Sequence, residues 1–336
     1  MQLYRTQLTA ENVCGIERLG INTMRYICEL HEGETLSSTY LCKVKQMLKT
    51  KAGKTYCSLI LQDKTGTLDA KIWEMSNAIE NFEPMDFIHI DGQLTSFQGS
   101  LQLNVRRVRK AQEGEYVPAD YIPTSKKNIK EMYNEILDLV NSVKNPYLST
   151  LLKSFFVEDK NFQKRFMAHS AAKSVHHSFM GGLVEHTLGV AKLCDYLAAN
   201  YPFLNRDILI TGALFHDLGK VEELSDFPEN DYTDDGQLLG HIFIGAEKLS
   251  EKIRTIPGFP HKLSAELCHC ILSHHGELEY GSPKKPATAE ALALSFADNT
   301  DAKLQTVREV LESGDEKTEW LGYNRFFETN IRRSSK

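Results

Sequence analysis

The sequence predicts a multidomain chain, an N-terminal all-β barrel followed by an all-α domain. Three observations predict it. Between residues 38 and 110 the apolar residues fall in short alternating runs separated by turn residues, the period of strands. From residue 127 onward the spacing lengthens to three and four, as in Ile129, Met132, Ile136, Leu139 and Val140. Between the two, residues 111–126 hold Gly114, Pro118, Pro123 and several polar residues, the composition of a linker. Residues 1–37 read as an N-terminal extension without a clear period, and 316–336 as a C-terminal tail.

The strand-like runs are Tyr40 to Met47, Thr55 to Leu61, Leu68 to Trp73, Phe87 to Leu94 and Leu101 to Val108. Turn signals separate them at Lys51-Ala52-Gly53-Lys54, Asp63-Lys64-Thr65-Gly66 and Gln98-Gly99-Ser100. Met75 to Phe82 reads as a short helix between the third and fourth runs. Five strands with a helix after the third is the order of an OB-fold barrel. The segment Leu61 to Trp73 resembles the second hairpin of OB-folds in the tRNA-anticodon-binding group.

Such barrels bind single strands through aromatic platforms and basic grooves. Tyr56, Trp73 and Phe97 are the stacking candidates, and Lys43, Lys45, Arg106 and Arg107 the phosphate candidates. Trp73 suits the barrel core equally well, and alternating lysines suit the wet face of any strand. Net charge is −6, so the chain as a whole does not advertise nucleic-acid binding. Residues 101–110, however, carry four positive charges and no negative one.

In the second half, helices are expected near 148–156, 160–170, 182–199, 206–218, 238–254, 262–275 and 287–312. Asn205 is placed to cap the helix that starts at 206, with Asp207 in its first turn. No run of about 18 apolar residues exists, so no membrane-spanning helix is expected. The N-terminus lacks the apolar stretch of a signal peptide. Seven cysteines form no CxxC pair and read as reduced thiols of a cytoplasmic protein. Cys268-His269-Cys270 has no second Cys/His pair to complete a zinc knuckle.

Seven metal-ligand-type residues follow one another along this half: His186, His216-Asp217, His241, His274-His275 and Asp298. An adjacent His-Asp pair lets the carboxylate bridge two cations while the imidazole binds one. Imidazoles with carboxylates suit Mn, Fe or Zn more than Ca. His216 and Asp217 fall in an apolar helical stretch, where an unpartnered neutral polar group would cost roughly 2–7 kcal/mol and a carboxylate more. A bound cation removes that cost. His274 and Asp298 repeat the situation at the ends of two further apolar helical stretches. Lys220, three and four residues beyond Asp217 and His216, would share their face of a continuing helix.

The order His…His-Asp…His…His-His…Asp resembles the two-metal HD-domain phosphohydrolases. More closely, the chain is similar to bacterial 3′–5′ exoribonucleases that join an OB-fold to an HD domain. The resemblance covers about residues 38–310. It is carried by His176-His177, Gly181-Gly182-Leu183, His186, Phe215 to Lys220, Leu239 to Ile242, Ile271 to Gly276, Gly281 to Lys284, and Asp298 to Lys303.

Chemistry and resemblance together assign His186, His216, Asp217 and Asp298 to one ion, and Asp217, His241 and His274 to another. His275 either replaces His274 or contacts substrate. Lys220 is the candidate for stabilising phosphoryl oxygens. His177 is the candidate for contacting the scissile phosphate or protonating the leaving group, and Lys284 is a weaker phosphate contact. The resemblance implies manganese, with iron also admitted by the ligand types. It also implies attack from the 3′ end of single-stranded RNA, with nucleoside 5′-monophosphates released. Single-stranded DNA is a further candidate substrate, no membrane partner is expected, and a homo-oligomer is compatible with the sequence.

Two rivals stand beside this expectation. One is an HD enzyme for a small nucleotide or cyclic dinucleotide. Residues 276–283 lack the Gly-Tyr-Pro signature of the cyclic-dinucleotide branch. The other is a non-catalytic nucleic-acid-binding protein, against which every expected ligand position is filled.

Overall fold

The computed structural model describes residues 24–50, 53–97, 100–173, 177–313 and 318–335. Most of the N-terminal extension, part of two predicted turns (51–52 and 98–99) and His176 therefore lie outside the described residues. The chain divides into two compact units. One runs to Thr124 and takes in Phe227–Glu229; the other comprises Ser125–Asp226 and the chain from Asn230.

The first unit is the predicted OB-fold. Strands β1 (Thr35–Lys49), β2 (Thr55–Asp63), β3 (Gly66–Ile72), β4 (Phe87–Phe97) and β5 (Ser100–Lys110) form a closed barrel in the order β1-β2-β3-β5-β4. β4 returns to pair with β1, and only the β3–β5 pairing is parallel. Alternation is plain in β4: Ile88, Ile90 and Leu94 are buried, while Phe87, His89, Asp91 and Gln93 are not. The inward residues meet Tyr40, Leu59, Leu61, Ile72 and Leu103 in one core. The β2–β3 turn is set by Asp63. Its carboxylate accepts from Thr65 N–H, the Thr65 hydroxyl, Gly66 N–H and Ile27 N–H.

Residues 75–82, expected as a helix, form none. Ile79 N–H donates to Ser76 O in a single turn, and then Glu80 N–H donates to Val108 O and Val108 N–H to Ala78 O, so the backbone joins the barrel and does not continue as a helix. Ile79 bridges Val108 and Phe82 is buried. The three-residue spacing of these two side chains is that of two anchors on an extended segment.

Residues 111–124 also pack on the barrel. Tyr116 stacks on Phe87 with ring centres 4.0 Å apart, and Gln62 donates to Tyr121 O.

The second unit is helical: α1 (Ile129–Ser142), α2 (Pro146–Lys153), α3 (Lys160–Ala168), α4 (Gly182–Asn200), α5 (Arg206–Phe215), α6 (Lys220–Glu223), α7 (Asp234–Arg254), α8 (His261–Ser273) and α9 (Ala289–Ser313). Asn205 caps α5 as expected, accepting from Ile208 N–H. Every residue of α5 from Ile208 to Phe215 is buried, and one continuous core joins α1–α5, α7, α8 and α9. The tail ends in a hairpin of β6 (Trp320–Asn324) and β7 (Thr329–Arg332). Among the described residues no helix is long and apolar enough to cross a membrane.

Candidate metal centre and nucleic-acid face

The ligand-type residues sit at or near helix ends, at one kink and, for Asp298, inside a long helix. His216 follows α5 directly, and Asp217 to Gly219 make a tight turn into α6. The helix expected to run through 218 stops early. Leu218 N–H donates to Phe215 O, and Lys220 N–H donates to Asp217 O, both three residues back. Close packing imposes the turn: a Cβ on Gly219 would lie 2.0 Å from His241 O and 2.7 Å from Gly245 N. His274 follows α8 in the same way. His241 lies just after Gly240, where α7 kinks. His186 is in the first turns of α4, and Asp298 is on α9.

Each imidazole is oriented through its Nδ1. His216 Nδ1–H donates to Ala213 O and His274 Nδ1–H to Ile271 O, each at 2.7 Å. His241 Nδ1–H donates to Glu223 Oε1 at 2.9 Å, and His186 Nδ1–H to Asp301 Oδ2 at 2.7 Å. His275 Nδ1–H donates to Tyr280 O at 2.8 Å. With Nδ1 so engaged, Nε2 is the ring nitrogen each histidine has left to offer a metal ion.

Asp217 stands between two groups of these nitrogens. Its Oδ2 is 3.4 Å from both His186 Nε2 and His216 Nε2. Its Oδ1 is 3.6 Å from His241 Nε2 and 3.7 Å from His274 Nε2. Asp298 Oδ1 closes the first group, 3.1 Å from His186 Nε2. His186, His216 and Asp298 offer ligand atoms within 4.8 Å of one another, and so do His241, His274 and His275. Both members of the His274-His275 pair thus face the second group. Asp217 Oδ1, His241 Nε2 and His274 Nε2 are buried without a hydrogen-bond partner. Buried lone pairs converging this way fit divalent cations and little else.

The electrostatics agree. Burial opposes a charge on His186, but hydrogen bonds with Asp217, Asp298 and Asp301 outweigh it and hold its pKa well above the usual value. Burial opposes the Asp217 carboxylate too. Lys220, His216 and His186 outweigh that cost and hold it well below the usual carboxylate range. His274 goes the other way: burial and the neighbouring His275 keep it neutral. Lys220 opens α6 instead of continuing the helix of His216, yet its Nζ still lies 2.7 Å from Asp217 Oδ2.

His177 is buried beside the first group, its ring centre 5.4 Å from that of His186, and donates from Nε2 to Asp301 Oδ2 at 3.1 Å. Lys284 is exposed, and its charge acts on His269 of α8. Asp301 and Glu223, which hold two of the imidazoles, went unassigned from sequence. The available signal was their spacing: Asp301 is three residues beyond Asp298 on one helix, and Glu223 three beyond Lys220.

On the barrel, Trp73 is not core. It is 42% exposed, its indole N–H donates to Asn104, and it stacks on Tyr56 with ring centres 4.9 Å apart. Phe97 is exposed at the end of β4. A bulge in β5 opposite Asp91 and Gly92 turns both Arg106 and Arg107 outward. Arg106 donates to Gln93. Lys43 is half-buried on β1. Lys45 Nζ donates to Phe82 O at 2.6 Å and lies over the Phe82 ring.

Comparisons with known proteins agree with both units. Residues 43–111 match the OB-fold nucleic acid binding domain family and residues 183–303 the HD domain family. The chain is 36% identical to the 3′–5′ exoribonuclease YhaM of Geobacillus over 262 residues, covering 77% of this chain and 80% of that one. It is 36% identical to YhaM of Bacillus subtilis over 84% of this chain and 90% of that one. With YhaM of Listeria monocytogenes the figures are 35%, 85% and 91%. With a barrel of the OB type, an HD domain with its histidines and aspartates gathered, and these relatives along most of its length, the chain belongs to the YhaM family of 3′–5′ exoribonucleases, hydrolases acting on ester bonds.

Proposed function

We propose that this protein removes nucleotides from the 3′ end of single-stranded RNA, releasing nucleoside 5′-monophosphates, with two divalent cations held in the HD domain. One observation carries the proposal: the two oxygens of Asp217 face two separate groups of histidine nitrogens. His186, His216, Asp298 and Asp217 Oδ2 would hold one cation; His241, His274, His275 and Asp217 Oδ1 the other. Such a pair supplies Lewis acidity and a water ionised near neutral pH. Manganese is the metal proposed, on family resemblance, and iron suits the same donors.

The chain's own residues do the rest. Asp217 ties both groups to one carboxylate, so their separation is set by a single side chain. Lys220 adds a fixed positive charge beside Asp217, suited to stabilising charge on the non-bridging phosphoryl oxygens. Tyr56, Trp73 and Phe97 offer ring faces to bases, and Arg106 and Arg107 offer charge to phosphates, which suits a single strand of any sequence. Single-stranded DNA would satisfy the same stacking and charge contacts.

The test incubates the full chain with Mn²⁺ and RNA labelled at its 5′ end. A ladder shortening from the 3′ end is expected. Turnover of free nucleotides with intact RNA would instead support a small-molecule HD enzyme.

A further inference from the structure

Two carboxylates outside both ligand groups stand behind them, one to each. Asp301 Oδ2 accepts from His186 Nδ1–H at 2.7 Å and from His177 Nε2–H at 3.1 Å. Glu223 Oε1 accepts from His241 Nδ1–H and from His241 backbone N–H, both at 2.9 Å. The other ligand-type histidines lean on backbone carbonyls: Ala213 O, Ile271 O and Tyr280 O. So each group contains an imidazole backed by a full negative charge. A carboxylate behind an imidazole fixes its tautomer and raises the basicity of the far nitrogen, which a carbonyl does more weakly.

The chain makes room for these carboxylates. A Cβ on Gly189, one turn beyond His186 on α4, would lie 2.2 Å from Asp301 Oδ1. The Asp301 carboxyl therefore rests on a bare stretch of helix that an alanine would fill. Burial opposes its charge, but His177 and His186 outweigh that and hold it well below the usual carboxylate range. Glu223 closes α6, the short helix that begins at Lys220. One turn of chain thus places both the Asp217–Lys220 pair and the support for His241.

We infer that Asp301 and Glu223 are positioning residues, one per cation, and that His177 acts by holding Asp301 and not by touching substrate. The inference rests on the two-cation reading of the site. Asp301 governs the cation at His186, His216 and Asp298; Glu223 governs the cation at His241, His274 and His275.

The test measures Mn²⁺ taken up by the dialysed full chain, by elemental analysis and by titration followed by electron paramagnetic resonance. The unmodified chain should hold two ions. Asp301→Asn and Glu223→Gln should each weaken one of the two by about ten- to a hundred-fold and leave the other. Gly189→Ala, which should not disturb helix α4, should mimic Asp301→Asn. At saturating Mn²⁺ the variants should regain kcat with KM for RNA unchanged. Melting curves establish that each variant is folded.

Folded variants that bind both ions with unaltered affinity would overturn the inference and leave the two-cation site standing. A KM increase that Mn²⁺ does not repair in Asp301→Asn or His177→Ala would place those residues on the substrate instead. If the unmodified chain takes up no cation, the two-cation reading falls and the inference with it.

Discussion

Lys220 Nζ lies 2.7 Å from Asp217 Oδ2, an ion pair inside a site where Asp217 is almost completely shielded from water. Burial opposes both charges, yet the pair holds Lys220 above and Asp217 below their usual values. Asp217→Ala removes the carboxylate common to both ligand groups and leaves an ammonium with little water to replace it. Hydrolysis of RNA should vanish, and stability without added metal should fall by about 3 kcal/mol. RNA binding should persist, because the barrel is untouched. Denaturant unfolding, a nuclease assay and a filter-binding assay check the three outcomes. Equal loss of binding and hydrolysis would show that the barrel is not the main RNA surface.

The turn at Gly219 gives a second prediction. Gly219→Ala drives a Cβ against His241 O, with backbone on both sides and no flexible side chain to yield. The cost should be about 1–3 kcal/mol, with lower activity as His241 is displaced. A thermal melt and a rate measurement suffice. Unaltered stability with full activity would show that the close packing plays no part.

Much of this was legible in the sequence, and the remainder failed for local reasons. Period-2 and period-3.6 patterning located the strands and helices because each buries one face. The ligand-type residues stood out because polar groups in apolar helical stretches need partners. The false helix at 75–82 arose because two anchoring side chains, Ile79 and Phe82, mimic a helical spacing while the backbone pairs with β5. The break after His216 was hidden because the contact that forces it, Gly219 against α7, is long-range. The Lys45–Phe82 contact was hidden because alternation gives the side of a strand but not what lies across from it.

The barrel face makes a third prediction. Trp73→Ala and Tyr56→Ala should each weaken RNA binding by about 1–3 kcal/mol. Because the two rings stack on each other, the double variant should lose less than the sum. Fluorescence anisotropy with a labelled single strand measures this. Strict additivity would mean that the rings act separately.

Replacing Arg106 and Arg107 by Gln should lower the salt dependence of RNA binding. Removing one charge that neutralises a phosphate of a single strand reduces the log–log slope by about 0.7. Titrations at several salt concentrations give the slope, and an unchanged value would place phosphates elsewhere.

Cation uptake should depend on pH in a definite direction. His186 is raised well above its usual value by Asp217, Asp298 and Asp301, so its proton must leave before Nε2 can accept a cation. Apparent Mn²⁺ affinity should therefore rise from pH 6.5 to pH 8.5, with protons released on binding. Titration calorimetry in buffers of different ionisation enthalpy counts those protons. Affinity independent of pH would contradict the protonation assigned to His186.

The most direct test of the central claim is a nuclease assay on 5′-labelled single-stranded RNA after the protein has been stripped of metal. Nucleotides should be removed stepwise from the 3′ end only when Mn²⁺ is restored, and Asp217→Ala should give no ladder at any Mn²⁺ concentration. A ladder from stripped protein in the presence of chelator, or from Asp217→Ala, would contradict a reaction built on that carboxylate.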